Sequence, residues 1–155
     1  MVSFRIKKGL HLNLPGRPAG EVKPLPQPLK RVGVSPARID HIKPRLHIKT
    51  GDRVKRGSLL FVDKRRPEVR FLSPGGGEVE SIVYGPRRVI ETIVIRLEAE
   101  EGQEEFGSVT AEELAEMDRG KLVQHLLTGG MWPLLRSLPF RDIADPPAMP
   151  PALIV

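Results

Sequence analysis

Few side chains in this sequence are placed to do chemistry. Lys64 offers a primary amine in the stretch Val62-Asp63-Lys64-Arg65-Arg66-Pro67. Trp132 and Arg136 put one aromatic face and one guanidinium into the otherwise apolar run at 128–140. The four histidines are His11, His41, His47 and His125. None pairs with another at i,i+4 and none lies in an HExxH pattern, so their spacing gives a metal little support. His41 and His47 stand six apart in extended-type sequence, and a zinc pair there would need a carboxylate to complete it. Cysteine is absent, which removes thiol nucleophiles, disulfides, thiolate-held iron–sulfur clusters and Cys-type zinc sites. No GxSxG, Walker A or EF-hand pattern occurs. Gly75-Gly76-Gly77 follows a proline, precedes strand-type sequence and lacks the phosphate-loop lysine, so it reads as a turn.

These groups must be positioned by short elements. The chain has 155 residues, 39% hydrophobic and 28% charged, which suits one globular domain or slightly more. Pro and Gly together make up 31 of the 155, about a fifth, which favours turns over long helices. No run approaches the roughly 18 apolar residues of a membrane span. Basic residues interrupt the apolar N-terminus, so it is not a signal peptide, and a cytoplasmic location is the expectation.

The net charge of +6 is uneven. Residues 1–100 carry 21 Lys+Arg against 10 Asp+Glu, and residues 101–155 carry 4 against 9. The break falls in the acidic run at 98–105. Basic residues alternate with apolar ones (Phe4-Arg5-Ile6-Lys7; Val69-Arg70-Phe71), as on the solvated face of half-buried strands. With one Trp, one Tyr and no aromatic cluster there is no stacking platform, so no nucleic acid is expected. An acidic protein partner or lipid headgroups fit the basic half as well.

Strand-type segments occur at 3–7, 31–34, 45–49, 52–57, 59–63, 68–72, 78–84 and 89–98, each bounded by Gly, Pro or Asp. That spacing indicates a small sandwich or barrel. Five prolines between 15 and 30 make an extended arm. Thr110 and Glu113 have capping-box spacing at the start of a helix. Helical spacing continues through Leu122, Val123, Leu126 and Leu127, broken near 118–120 and ended by Gly129-Gly130. A further short helix is expected over 131–138 with Pro133 in its first turn, then an extended proline-rich stretch. Residues 152–155, Ala-Leu-Ile-Val, have the composition of a strand buried on both faces, so the chain is expected to be the N-terminal piece of a longer protein.

Two segments share a design. In 48–61, Gly51-Asp52 needs a residue free to take positive φ, Gly57 makes the next turn, and Val54, Leu59 and Phe61 point inward. In 73–82, Pro74 and three glycines turn the chain, and Val79 and Ile82 fill the opposite side. Facing each other, the two units form a flattened barrel. The pattern resembles the barrel-sandwich hybrid of biotinyl and lipoyl carrier domains. In those domains a lysine follows an acidic residue on the exposed hairpin, the place of Asp63-Lys64 here. Lys64 is then either a modified carrier lysine or a solvated turn lysine. The following Arg65-Arg66-Pro67 departs from the carrier pattern.

A closer resemblance covers nearly the whole chain. IKKGLHLNLPG, GDRVKRGSLLFVDKRRPEVRFLSPGGGEV, GPRRVIETIVI, LVQHLLTGGMWPLLRSLPF and the terminal PPALIV occur in an order similar to the N-terminal region of the A subunit of the sodium-translocating NADH:quinone reductases. The C subunit of the Rnf-type complexes is similar more weakly. The resemblance implies a cytoplasmic, peripheral subunit docked on other subunits of a membrane redox complex and not itself membrane-spanning. It also implies that NADH, flavins, quinone and sodium belong to the complex and that no cofactor is bound by this piece. In the related flavin-binding subunits the stretch matching 128–140 is a glycine-rich nucleotide loop. Here only Gly129-Gly130 remain, and Met131, Trp132, Pro133 and two leucines would fill a flavin's volume. The segment could instead suit a quinone, with Trp132 against the ring and Arg136 at a carbonyl oxygen. Otherwise Trp132, Leu134 and Leu135 are core and Arg136 caps a helix or makes an ion pair.

The expected architecture is α+β, mainly β. An extended arm at 1–29 precedes a barrel-sandwich hybrid at 30–100, a helical segment at 101–139 and the start of a truncated α/β domain at 140–155. The expected role is structural and docking, with no catalytic residue and no metal. The alternative is a carrier domain modified at Lys64.

Overall fold

The computed structural model describes residues 27–153, together with Gly9, Pro15, Gly16 and residues 20–22. The strand expected at 3–7, His11, most of the arm at 1–29 and residues 154–155 lie outside the described residues.

Seven strands build the first part: β1 (Arg31–Val34), β2 (Pro44–Leu46), β3 (Arg53–Val54), β4 (Leu59–Asp63), β5 (Arg66–Leu72), β6 (Gly77–Tyr84) and β7 (Ile90–Leu97). Helices α1 (Ala111–Glu116) and α2 (Arg119–Thr128) follow, and then a hairpin of β8 (Arg136–Ser137) and β9 (Asp142–Ile143). A four-stranded sheet has the order β1-β7-β6-β3 and a three-stranded sheet the order β2-β4-β5, with every pairing antiparallel.

Alternation makes these strands. Along β6 and β7, Val79, Ile93 and Ile95 are fully buried. On the solvent side Glu78 accepts from its cross-strand partner Arg96 at 2.7 Å, and Glu80 from Arg31 on β1 at 2.7 Å. The second sheet contributes Leu60, Phe61, Val69 and Phe71 to the same core cluster. Phe61 and Phe71 are register partners whose rings stack with centroids 4.5 Å apart.

The expected inward set, Val54, Leu59, Phe61, Val79 and Ile82, needs one correction. Leu60 is fully buried, whereas Leu59 is only partly so. Leu59 pairs with Leu72 and Phe61 with Phe71, so β4 carries one extra residue there. This bulge interrupts the period-two alternation, and Leu60 to Asp63 are all buried. Gly51 and Gly57 both take positive φ, 90° and 89°, as the turn reading requires.

The helical reading holds at its start. Thr110 Oγ1 accepts from the Glu113 amide and the Glu113 carboxylate accepts from the Thr110 amide, a complete capping box. Asp118 caps α2 and accounts for the break between the helices. The helix expected over 131–138 does not form. Only one 3-10 turn is present, at Trp132–Leu134. Leu135 is extended, its carbonyl accepts from the Ala144 amide, and Arg136–Ser137 pairs with Asp142–Ile143. Pro133 is compatible with a first helical turn, but pairing with β9 draws Arg136–Ser137 into extended backbone, and Pro139 disfavours helical backbone at Leu138. Part of the stretch expected to be extended and proline-rich is therefore the return strand of a hairpin.

Residues 29–148 form one unit. The turn at 132–134 and α2 both lie against β5, and Leu127, Trp132 and Ile143 belong to the barrel's core cluster. In the other unit, Ala152 and Leu153 have no regular structure, and the rest of the expected terminal strand is outside the described residues.

Candidate functional site

Lys64 and Arg65 form the two-residue turn between β4 and β5, and both are exposed. The Lys64 amide donates to the Lys43 carbonyl at 2.7 Å, which fixes the turn and leaves the ammonium in water. Beneath the turn the Asp63 carboxylate has no exposure. Its Oδ1 accepts from the amides of Lys43 (3.1 Å) and Arg65 (3.2 Å), and its Oδ2 from the Arg66 guanidinium (3.4 Å). The Arg66 Nη1 also donates to the Ile143 carbonyl at 2.6 Å. The acidic residue before the lysine thus organises the hairpin, and Arg66 ties that hairpin to β9. Sequence reading missed this role of Arg66, because its second partner lies 77 residues away and leaves no local pattern.

Trp132 is 5% exposed. Its Nε1–H donates to the Ala144 carbonyl at 2.8 Å, so the indole's one donor is satisfied within the fold. Arg136 is exposed on β8, and its guanidinium approaches the Arg141 carbonyl at 3.4 Å. One of the two sequence-selected residues is therefore buried and the other open to solvent. Around them Leu134, Leu138 and Phe140 are 70%, 67% and 76% exposed. Two surface depressions, of about 630 and 340 Å³, are lined by residues between Gln103 and Lys121 and include neither Trp132 nor Arg136.

His41 and His47 are both exposed, and His41 Nδ1 lies 3.9 Å from the Asp142 carboxylate. Among the described residues no group of three or more His, Asp and Glu side chains is placed to hold a metal ion.

The triple glycine is occupied by the chain's own carboxylate. The Gly76 amide donates to Glu101 at 2.8 Å, and Arg56 donates to the same oxygen at 3.2 Å. Those donors, the Gly76 amide first and Arg56 second, hold the Glu101 carboxyl below the usual carboxylate range. The turn needs glycine for room: a Cβ at Gly77 would strike the Arg96 carbonyl, and one at Gly75 the Leu97 side chain. Neighbouring contacts continue the pattern, with Arg53–Glu98 at 3.6 Å, Lys55–Glu104 at 3.9 Å and Ser58 donating to Glu104 at 3.0 Å. The acidic run that divides the charge along the sequence lies against basic residues of the barrel.

Two small antiparallel sheets closed over one core, cornered by glycine turns and presenting a lysine on a hairpin tip, define a barrel-sandwich hybrid. The family described as the NqrA N-terminal barrel-sandwich hybrid domain matches residues 4–98, and the chain belongs to that family. It is similar to proteins named as the A subunit of the Na(+)-translocating NADH-quinone reductase. The identity is 38% over 152 residues for the one from Klebsiella pneumoniae strain 342, 35% for that of Pseudomonas aeruginosa PAO1 and 36% for that of Hahella chejuensis. Each alignment covers 98% of this chain and 34% of the relative, so the chain spans about a third of the length of the curated relatives it matches. Among the described residues no helix is long and apolar enough to cross a membrane.

Proposed function

We propose that this chain forms the N-terminal part of the A subunit of a sodium-translocating NADH:quinone reductase and serves there as a rigid, non-catalytic docking platform. The observation that carries the reading is the similarity to such A subunits along 98% of the chain, which continues past the barrel through α2 and the β8–β9 hairpin. The barrel itself supports a passive role. Among the described residues its buried polar side chains are paired, and its glycine turn is filled by Glu101. In this reading the chain sits at the cytoplasmic side of a membrane complex, and NADH oxidation, the flavins and sodium movement belong to other subunits. The divisions at 1–29, 30–100, 101–139 and 140–155 are part of the same proposal. Co-purification from membranes tests it. A tagged full-length protein carrying this sequence should bring down the other reductase subunits, and its recovery without them from membranes with an active reductase would overturn the proposal.

Quinone contact at Trp132 and Arg136 is proposed within that assembly. Photolabelling of the assembled complex with a quinone probe should mark peptides from 128–140. Label confined to other subunits would remove the contact and leave the docking role standing.

A carrier function at Lys64 is the second reading, favoured by one observation: the lysine is exposed at the tip of the β4–β5 hairpin. Intact mass after co-expression with a lipoyl or biotinyl ligase separates the two. The docking reading expects unchanged mass and full reductase activity in Lys64→Ala. A lipoyl or biotinyl adduct that disappears in Lys64→Ala would establish the carrier.

A further inference from the structure

The β6–β7 hairpin extends past its neighbours. β1 pairs with β7 only as far as Val34–Ile93, and β3 pairs with β6 only at Arg53–Glu78 and Val54–Gly77. Beyond those pairs the two strands continue to Tyr84 and Ile90, with no further strand on either edge among the described residues. The end they carry combines exposed apolar side chains with adjacent cations. Val83, Tyr84 and Val89 are 42%, 52% and 50% exposed, and Arg87 and Arg88 between them are exposed too. Among the described residues neither arginine has a carboxylate within ion-pair distance, which is true also of Arg38, Arg45 and Arg70, whereas Arg31, Arg53, Arg56 and Arg96 each have one.

The turn's backbone makes the arginines harder to explain by folding alone. The Val89 amide donates to the Pro86 carbonyl, and the two central residues, Arg87 and Arg88, take φ of 56° and 60°. Positive φ at both centres is the requirement of a type I′ turn, which Asn-Gly meets at least cost and arginine meets poorly. The fold would be served better by other residues here. What arginine adds is two adjacent outward cations between exposed aliphatic and aromatic groups.

We propose that the β6–β7 tip docks on an anionic lipid bilayer. Arg87 and Arg88 would meet lipid phosphates, with Tyr84, Val83 and Val89 at the headgroup boundary. Tyrosine beside cations and aliphatic groups is the composition that settles at a membrane interface. The geometry favours a bilayer over an acidic protein. Val83 and Tyr84 are consecutive in a strand, so they point to opposite faces of the hairpin, yet both are exposed. A fluid headgroup layer meets both faces of an inserted tip at once, with Tyr84 and the aliphatic groups at the headgroup boundary. This stands on the tip's own residues and needs no other subunit for its test.

The 155-residue chain is mixed with vesicles of phosphatidylethanolamine and phosphatidylglycerol, or of phosphatidylcholine alone, and the bound fraction is measured by sedimentation. The chain should partition onto the anionic vesicles and not the neutral ones, and binding should fall as salt rises. Arg87→Asn with Arg88→Gly restores the preferred turn residues, so the hairpin stays folded. This variant should lose about thirtyfold in partition, roughly fivefold per cation. Arg45→Ser with Arg70→Ser removes two cations from the other sheet and should bind almost as the parent does. Equal binding by the parent and the Arg87/Arg88 variant, or no binding to anionic vesicles, would overturn the proposal. Retention on immobilised polyglutamate that depends on Arg87 and Arg88, without vesicle binding, would assign the tip to an acidic protein instead.

Discussion

Asp63 shows how much of a side chain's role is left open when only its neighbours in sequence are known. Placed before Lys64, it looks like the acidic residue that precedes a carrier lysine. In the folded chain it is fully buried and takes donors from Lys43, Arg65 and Arg66. Removing it would leave two amides and a largely buried guanidinium without their acceptor, a change that typically costs about 3 kcal/mol. Asp63→Ala should therefore lower the midpoint of urea unfolding by a corresponding amount. The single tryptophan, Trp132, is buried and reports the transition by fluorescence. An unchanged midpoint would mean that the hairpin does not depend on this carboxylate. Trp132 itself was legible as either a ligand residue or core, because type alone allows both. Its hydrogen bond to Ala144 requires the hairpin partner to be in place.

Among the strands, turns and helices, legibility followed the range of the forces that make each one. The Thr110–Glu113 capping box spans three residues, so its spacing in the sequence is already its geometry. Gly51 and Gly57 were legible for the same reason, since positive φ is a property of a single residue. The bulge in β4 and the loss of the helix at 131–138 were not legible. Both depend on which strand pairs alongside: β5 sets the register shift at Leu60, and β9 draws Leu135 to Ser137 into a hairpin. The β6–β7 turn has its own energetic consequence. Arg87→Asn with Arg88→Gly puts residues tolerant of positive φ at both centres and should raise stability by about 1–2 kcal/mol. Denaturant titration measures it, and a loss of stability would mean that the two arginine side chains hold the turn together.

For the chain taken together, the uneven charge resolves into an internal pairing. The basic half suggested an external acidic partner, and part of that partner is the chain's own run at 98–105, through Glu98, Glu101 and Glu104. This has a consequence for pH. Glu101, through the Gly76 amide and Arg56, and Glu80, through Arg31, have carboxyls held below the ordinary value of 4.5. A carboxyl with a lowered folded-state pKa adds stability that is fully present above the ordinary value and is lost as pH falls through the lowered one. The share of stability that these two carboxyls contribute should therefore be level above about pH 5 and decline on acidification below the normal carboxylate range. Glu80→Gln with Glu101→Gln should flatten that acid limb in a series of urea midpoints against pH. An acid limb of undiminished slope in the double variant would place the responsible carboxylates elsewhere.

The order of residues was enough to specify the barrel-sandwich architecture and the capped start of the helical segment. Alternation, glycine turns, caps and residue inventory are local properties that a chain carries before it folds. Long-range packing settled that Leu60 rather than Leu59 is buried, and that Arg66 joins the β4–β5 hairpin to β9. It also settled that Glu101 fills the glycine turn and that Val83 and Tyr84 stand exposed on a projecting hairpin. Each of those depends on a partner many residues away, and only the folded backbone brings such partners within the few ångströms over which packing and hydrogen bonds act.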